Sequence, residues 1–180
     1  YYQKVTRLNP NDEDALSNIA LIQFNNENYK EAKKIYRRLI KLHPQNENYY
    51  YNLGAIEERL QNWDMALKYY NKVTMLNPND QDAFNKIGEV YYNKKDYQKA
   101  RIECEKLIAK YPKSESNYNN LGLIEETLGN WEAAIQNYNK AIDINPNYEQ
   151  AYNRMAGIYF TNGKYQDAKA IFEKLITINP

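Results

Sequence analysis

The sequence predicts an all-α protein built as a tandem array of two-helix units, and three observations predict it. The six prolines, Pro10, Pro44, Pro78, Pro112, Pro146 and Pro180, are spaced by 34 residues throughout. Proline breaks a helix and biases the residue before it away from the helical region, so one proline per period means one forced break per period. Between breaks the apolar residues recur at helical spacing, as in Tyr118, Leu121, Gly122 and Ile124, then Trp131, Ala134, Ile135, Tyr138, Ala141 and Ile142. A turn signal divides each period in two: Glu27-Asn28, Gln61-Asn62, Lys95-Asp96, Gly129-Asn130 and Gly163-Lys164. A fixed period of this length marks a repeat architecture. The expected units are 13–46, 47–80, 81–114, 115–148 and 149–180, with residues 1–12 as the second half of a partial unit.

Composition excludes several classes of function. The chain has 180 residues, 24 basic against 23 acidic, for a formal net charge of +1. Nucleic-acid binding needs a concentrated basic surface, which this balance does not suggest. No apolar run reaches the ~20 residues that span a bilayer, and no secretory signal is apparent. A single cysteine, Cys104, precludes an internal disulfide. The compartment is therefore left open, with the cytoplasm as the default.

Within each unit the positions are conspicuously filled. The first helix carries a large residue (Leu16, Tyr50, Phe84, Tyr118, Tyr152) followed by an apolar–small pair (Ile19-Ala20, Leu53-Gly54, Ile87-Gly88, Leu121-Gly122, Met155-Ala156). The second carries alanine at 32, 66, 100, 134 and 168, then an aromatic at Tyr36, Tyr70, Tyr138 and Phe172, with Cys104 departing from it. This pattern resembles the tetratricopeptide repeat, and it covers essentially the whole chain. The resemblance departs at the first-helix tyrosine, which appears only as Tyr91 and Tyr159, with Gln23, Glu57 and Glu125 in its place. It implies antiparallel helix pairs stacked into a right-handed superhelical solenoid.

A second period lies on the first. Units 47–80 and 115–148 share 18 of 34 positions, whereas 47–80 and 81–114 share four, so the units alternate between two classes. One class opens its second helix with Trp63 or Trp131 and carries Glu57-Glu58 or Glu125-Glu126; the other opens with Tyr29, Tyr97 or Tyr165. Two kinds of interface between units should alternate accordingly.

No constellation of residues points to catalysis, a cofactor or a metal. The lone histidine, His43, precedes Pro44 in a link and reads as a solvated side chain, since a metal needs several converging ligands. Cys104 reads as a small core residue without a histidine partner. The paired glutamates lie two units apart, too far for one acid–base pair, and read as solvated or packed on cations.

The resemblance implies a protein-interaction scaffold. In such arrays the first helices line a concave groove that commonly holds an extended peptide. The sixth residue of each unit is Asn18, Asn52, Lys86, Asn120 or Arg154. An asparagine can donate to and accept from a peptide backbone, so a row of them can hold a chain regardless of its sequence. This is similar to the asparagine ladder of O-GlcNAc transferase. Lys86 and Arg154 hint at acidic segments in the ligand. A neighbouring row, Phe24, Glu58, Tyr92, Glu126 and Phe160, is either an aromatic–acidic stripe that anchors apolar ligand side chains or packing between units.

The two-carboxylate clamp for Hsp70 or Hsp90 tails is rejected. Its positions hold Asn85, Glu89, Asn120, Gln150 and Arg154 in one register and Ser17, Leu21, Asn52, Asp82 and Lys86 in the other, and Glu89 or Asp82 would repel a carboxylate. Partners are thus expected to be other proteins or extended peptides, without nucleic acid or membrane insertion. The alternatives are the substrate-recruiting arm of a larger enzyme and an array that self-associates through uncapped ends. The segment is expected to belong to a longer protein.

Overall fold

A computed structural model describes residues 10–178, and the expected partial unit at 1–12 falls largely outside them. The fold is all-α. Ten helices follow in order among the described residues: α1 (Glu13–Asn25), α2 (Tyr29–Leu42), α3 (Glu47–Arg59), α4 (Trp63–Leu76), α5 (Gln81–Asn93), α6 (Tyr97–Lys110), α7 (Glu115–Thr127), α8 (Trp131–Ile144), α9 (Glu149–Thr161) and α10 (Tyr165–Ile178). They divide into two compact units, one ending at Val90 within α5 and one beginning at Tyr91.

The turn inside each pair has one cause. In α1 the amide of Asn28 reaches back to the Gln23 carbonyl at 2.8 Å and that of Glu27 to Phe24 at 2.9 Å. These are the two bonds of a Schellman motif, which needs a left-handed residue just past the helix end. The residue there is Glu27 (φ 61), Gln61 (φ 57), Lys95 (φ 63), Gly129 (φ 80) or Gly163 (φ 72). Only the last two are the glycine that adopts this conformation freely; a β-carbon there costs roughly 1–2 kcal/mol. Changing Glu27, Gln61 and Lys95 together to glycine should therefore raise the thermal midpoint by several degrees. A midpoint that stays put or falls in a melt followed by circular dichroism would contradict that account.

The links between pairs use proline differently. Pro44, Pro78, Pro112 and Pro146 occupy the second position of four-residue turns closed by amide–carbonyl bonds, such as Asn46 to His43 at 3.2 Å and Tyr148 to Asn145 at 3.0 Å. Proline's fixed φ suits that position. Asp12 and Asp80 then cap the following helices by accepting from the amides of Ala15 at 2.8 Å and Ala83 at 2.9 Å.

In the first compact unit, one apolar cluster runs from Leu16 and Ala20 of α1 through Ala32, Tyr36 and Leu39 of α2 to Leu53 and Ile56 of α3. Helix α3 thus roofs the pair before it. In the second, Ile124 of α7 closes over Ala100 and Cys104 of α6, and Met155 and Ile158 of α9 close over Ala134, Tyr138 and Ala141 of α8. Small residues let the backbones approach, and aromatic rings fill what remains.

Candidate functional site

The sixth-position residues all lie on first helices, and their surroundings separate them. Asn18 and Asn52 are half-buried and adopt the same pose. Each donates one amide N–H to the carbonyl four residues earlier, Asp14 for Asn18 and Asn48 for Asn52, both at 2.7 Å. That bond fixes which way the amide faces, because only its nitrogen can meet a carbonyl. The oxygen and the second N–H are left for another partner. Asn120 is half-buried as well.

The two cations are engaged within the protein. Lys86 lies 2.5 Å from Glu89 and 3.7 Å from Glu58. Burial, the largest single influence on its ammonium, lowers the pKa, but those carboxylates outweigh it and the pKa ends above the usual lysine value. Arg154 faces Glu126 at 3.6 Å. Both cations thus already have a carboxylate partner within the protein.

The aromatic–acidic row divides by residue type. Phe24, Tyr92 and Phe160 each meet, edge to face, the tyrosine that opens the next helix: Tyr29 at 5.8 Å, Tyr97 at 5.4 Å and Tyr165 at 5.3 Å. Tyr92 also shares a hydrogen bond with Thr127 at 3.0 Å. Phe24 and Tyr92 are half-buried in this packing, while Phe160 is 61% exposed. Glu58 and Glu126 accept hydrogen bonds from the buried hydroxyls of Tyr70 at 2.9 Å and Tyr138 at 2.6 Å. Burial, then the adjoining carboxylates, raise both phenols well above the usual tyrosine range.

To reach those glutamates each ring lies across a glycine of the first helix. A β-carbon at position 54 would sit 2.7 Å from Cε1 of Tyr70, and one at 122 would sit 2.6 Å from Cε1 of Tyr138.

The other two glutamates are buried outright. Glu57 is 1% exposed, lies 2.6 Å from Lys33, and accepts from the Asn62 amide at 2.8 Å. Glu125 meets Arg101 at 3.7 Å and the Asn130 amide at 2.7 Å. Of the two sequence readings, solvation and packing on cations, the second describes them. What sequence reasoning missed was the cross-unit partner. The signal was present: a cation precedes each buried glutamate by the same interval, at 33 and 57 and at 101 and 125.

His43 is less solitary than its isolation in sequence suggested. Its Nε2 lies 3.2 Å from Glu13, whose carboxylate also accepts from Asn46 at 3.3 Å and from the Tyr49 hydroxyl. Cys104 is buried as expected, and desolvation pushes its thiol up to about 12, which leaves almost no thiolate at neutral pH. Among the described residues no group of three or more His, Cys, Asp or Glu is placed to hold a metal ion, and no helix is long and apolar enough to cross a membrane.

Comparison with known proteins gives this arrangement a family. Tetratricopeptide repeat sequence patterns match residues 14–46, 48–80, 82–114 and 149–180, and a further TPR repeat pattern matches 125–163. The chain is a tetratricopeptide repeat protein. Such proteins are in general scaffolds for protein interaction, and none of these matches is to a catalytic domain. No curated protein sequence matches it.

Solved structures share the tetratricopeptide fold. A tetratricopeptide repeat protein from Parabacteroides merdae aligns with a TM-score of 0.80 and 25% identity over 99% of this chain and 71% of its own. MamA from Desulfovibrio magneticus aligns at 0.76 and 21% identity, over 92% and 94%. YrrB, described as a TPR protein with an unusual peptide-binding site, aligns at 0.68 and 16%, over 99% and 92%.

Proposed function

We propose that the five repeats, 13–46 through 149–180, act together as a scaffold that holds extended segments of partner proteins, each compact unit presenting its own row of first-helix residues. In the first unit the row is Asn18, Asn52 and Lys86; in the second it is Asn120 and Arg154, with Tyr92 and Phe160 beside them. The observation that carries this reading is the shared pose of Asn18 and Asn52. An amide tethered to its own helix is preorganised, so a ligand backbone meets it at little ordering cost. A solved structure of similar fold, YrrB, is described as having a peptide-binding site, which is consistent with the reading.

The ligand would be recognised mainly through its backbone. Lys86 and Arg154 are already opposed by carboxylates, so they would shape the row without selecting acidic peptides.

The test is selection from a library of extended peptides, followed by titration into wild type and an Asn18→Ala/Asn52→Ala variant whose helicity is checked by circular dichroism. Two lost amide contacts at about 1 kcal/mol each predict a loss of roughly tenfold or more in affinity. Asn120→Ala tests the second unit separately. Unchanged affinity in both folded variants would remove the first-helix row from consideration.

A further inference from the structure

The near-neutral charge of the chain conceals one concentrated basic strip. Helix α2 carries six cations and a single acid, in a chain whose formal net charge is +1. Lys30, Lys34, Arg37 and Lys41 recur at intervals of four, three and four, which places them along one face of the helix. All four are exposed, and with Arg38 and Glu31 they line one open depression. Their exposure does not depend on where the repeat stands in the array. The equivalent positions of the next three repeats are exposed as well, yet they hold one cation, Lys68, and four acids, Asp64, Glu105, Glu132 and Asp143. Repeats 81–114 and 149–180, of the same class as 13–46, have no cation at any of the four positions. The charge, and not the exposure, is peculiar to this repeat.

Like charges three or four apart on a helix repel one another, and little in the chain answers these. Lys34 reaches Glu31 at 3.5 Å, with both side chains exposed. Arg38 donates to Asn11 at 2.8 Å, a neutral acceptor. Among the described residues, Lys30, Arg37 and Lys41 have no carboxylate within ion-pair reach.

We infer that this strip docks an acidic segment of a partner protein, held in extended conformation with carboxylates at alternate positions. Charge complementarity selects an anion, and the spacing selects this one. From Lys30 to Lys41 the helix rises about 16 Å, in steps of roughly 4.5–6 Å between cations. Alternate side chains of an extended chain lie about 7 Å apart on one side, so three such carboxylates follow the strip. Duplex nucleic acid is less suited, because it draws on a broader basic surface. The next second helix of the same compact unit, α4, adds only Lys68 at these positions and brings Asp64 with it. An anionic membrane is less suited too: none of the four positions carries an apolar or aromatic residue to enter the headgroup boundary. The strip shares no residue with the first-helix row, so the two surfaces stand or fall separately.

The test uses the 180-residue chain and a fluorescein-labelled peptide of alternating glutamate and serine, followed by anisotropy at low ionic strength. About ten residues of extended peptide suffice to span the strip. Saturable binding is expected, weakening several-fold as salt is added, since exposed charges are screened. The variant Lys30→Gln/Lys34→Gln/Arg37→Gln/Lys41→Gln should bind at least about tenfold more weakly. The variant Lys106→Gln/Lys140→Gln/Lys164→Gln/Lys174→Gln removes the same charge at other exposed positions. It should change affinity by less than about twofold. Circular dichroism checks that each variant remains helical. Phosphatidylserine vesicles and a short DNA duplex are titrated in parallel and should bind more weakly than the peptide.

No saturable binding of the peptide would overturn the inference. Equal losses in the two variants would do so as well, by making the binding a matter of net charge. Tighter, strip-dependent binding of the vesicles or the duplex would also overturn it, and would assign the strip to that class of partner.

Discussion

Lys33→Met should be among the most damaging single changes in this protein, costing about 3–5 kcal/mol, although it removes a side chain that is partly in solvent. The reason lies on the other partner. Glu57 is sealed between two repeats with its carboxylate on Lys33 at 2.6 Å and on the Asn62 amide. With the lysine gone, a buried charge is left with one neutral donor, and breaking a buried pair from one side carries that order of penalty. Lys33→Met/Glu57→Met should recover most of the loss, because an apolar pair of similar volume has nothing to desolvate. Arg101→Met should cost distinctly less: that pair is longer, at 3.7 Å, and its arginine side chain is 38% exposed. Urea melts followed by far-ultraviolet circular dichroism would rank the three. Repeat arrays can unfold in stages, so the comparison is of midpoints and of how many transitions appear. A Lys33→Met midpoint equal to that of Arg101→Met, or a double variant no better than the single, would show that the pair is effectively solvated.

Gly54→Ala and Gly122→Ala are each expected to destabilise by about 1–3 kcal/mol, although alanine is the better helix former by nearly 1 kcal/mol. The added methyl meets a tyrosine ring that cannot step aside, because its hydroxyl is tied to the glutamate one turn further along the same helix, Glu58 or Glu126. The protein contains its own control. Repeat 13–46 has Ala20 at the small position with Phe24 four residues on, and Tyr36 packs there without a carboxylate to hold it. The double variant Gly54→Ala/Glu58→Phe copies that pairing and should cost less than the sum of its two single changes. Thermal melts of the four proteins would decide it. An additive double variant, or a stabilising Gly54→Ala, would mean that the ring is free to move.

These two cases explain why the units alternate. Glycine at the small position goes with glutamate one turn later and with a tyrosine bridging to it, as in 54, 58 and 70, and again in 122, 126 and 138. Where an aromatic replaces that glutamate, at 24, 92 and 160, it instead meets the tyrosine opening the next helix; the small position is then alanine at 20 and 156 and glycine at 88, where Cys104 stands in place of the bridging tyrosine. The row that looked in sequence like an alternating stripe is therefore two different packing solutions taking turns. Its members do not share one role: the acids serve buried hydroxyls, Phe24 and Tyr92 pack, and Phe160 alone among the three aromatics is largely in solvent.

The fold class, the helix pairs and the turn positions were determined by the sequence by itself, because their causes are local. A proline every period, helical spacing between breaks, and turn residues midway act within a few positions of one another and need no distant partner. Local signals placed the turns but did not reveal that Glu27, Gln61 and Lys95 take the left-handed conformation there, a strain that the two Schellman hydrogen bonds hold in place. Only the tertiary structure decided which charges are buried and which are spoken for. A cation at the same interval before Glu57 and Glu125 hints at their partners, but nothing local in the sequence separates these two from Glu58 and Glu126 as the buried ones, and Lys86 and Arg154 look like free cations. Their partners lie 24 or 28 residues away on another repeat, at 33 and 57, 101 and 125, 58 and 86, 126 and 154. An ion pair over that distance along the chain exists only once the helices have stacked, so its physics is that of the interface between repeats, where desolvation makes each unpaired charge costly and each pairing specific.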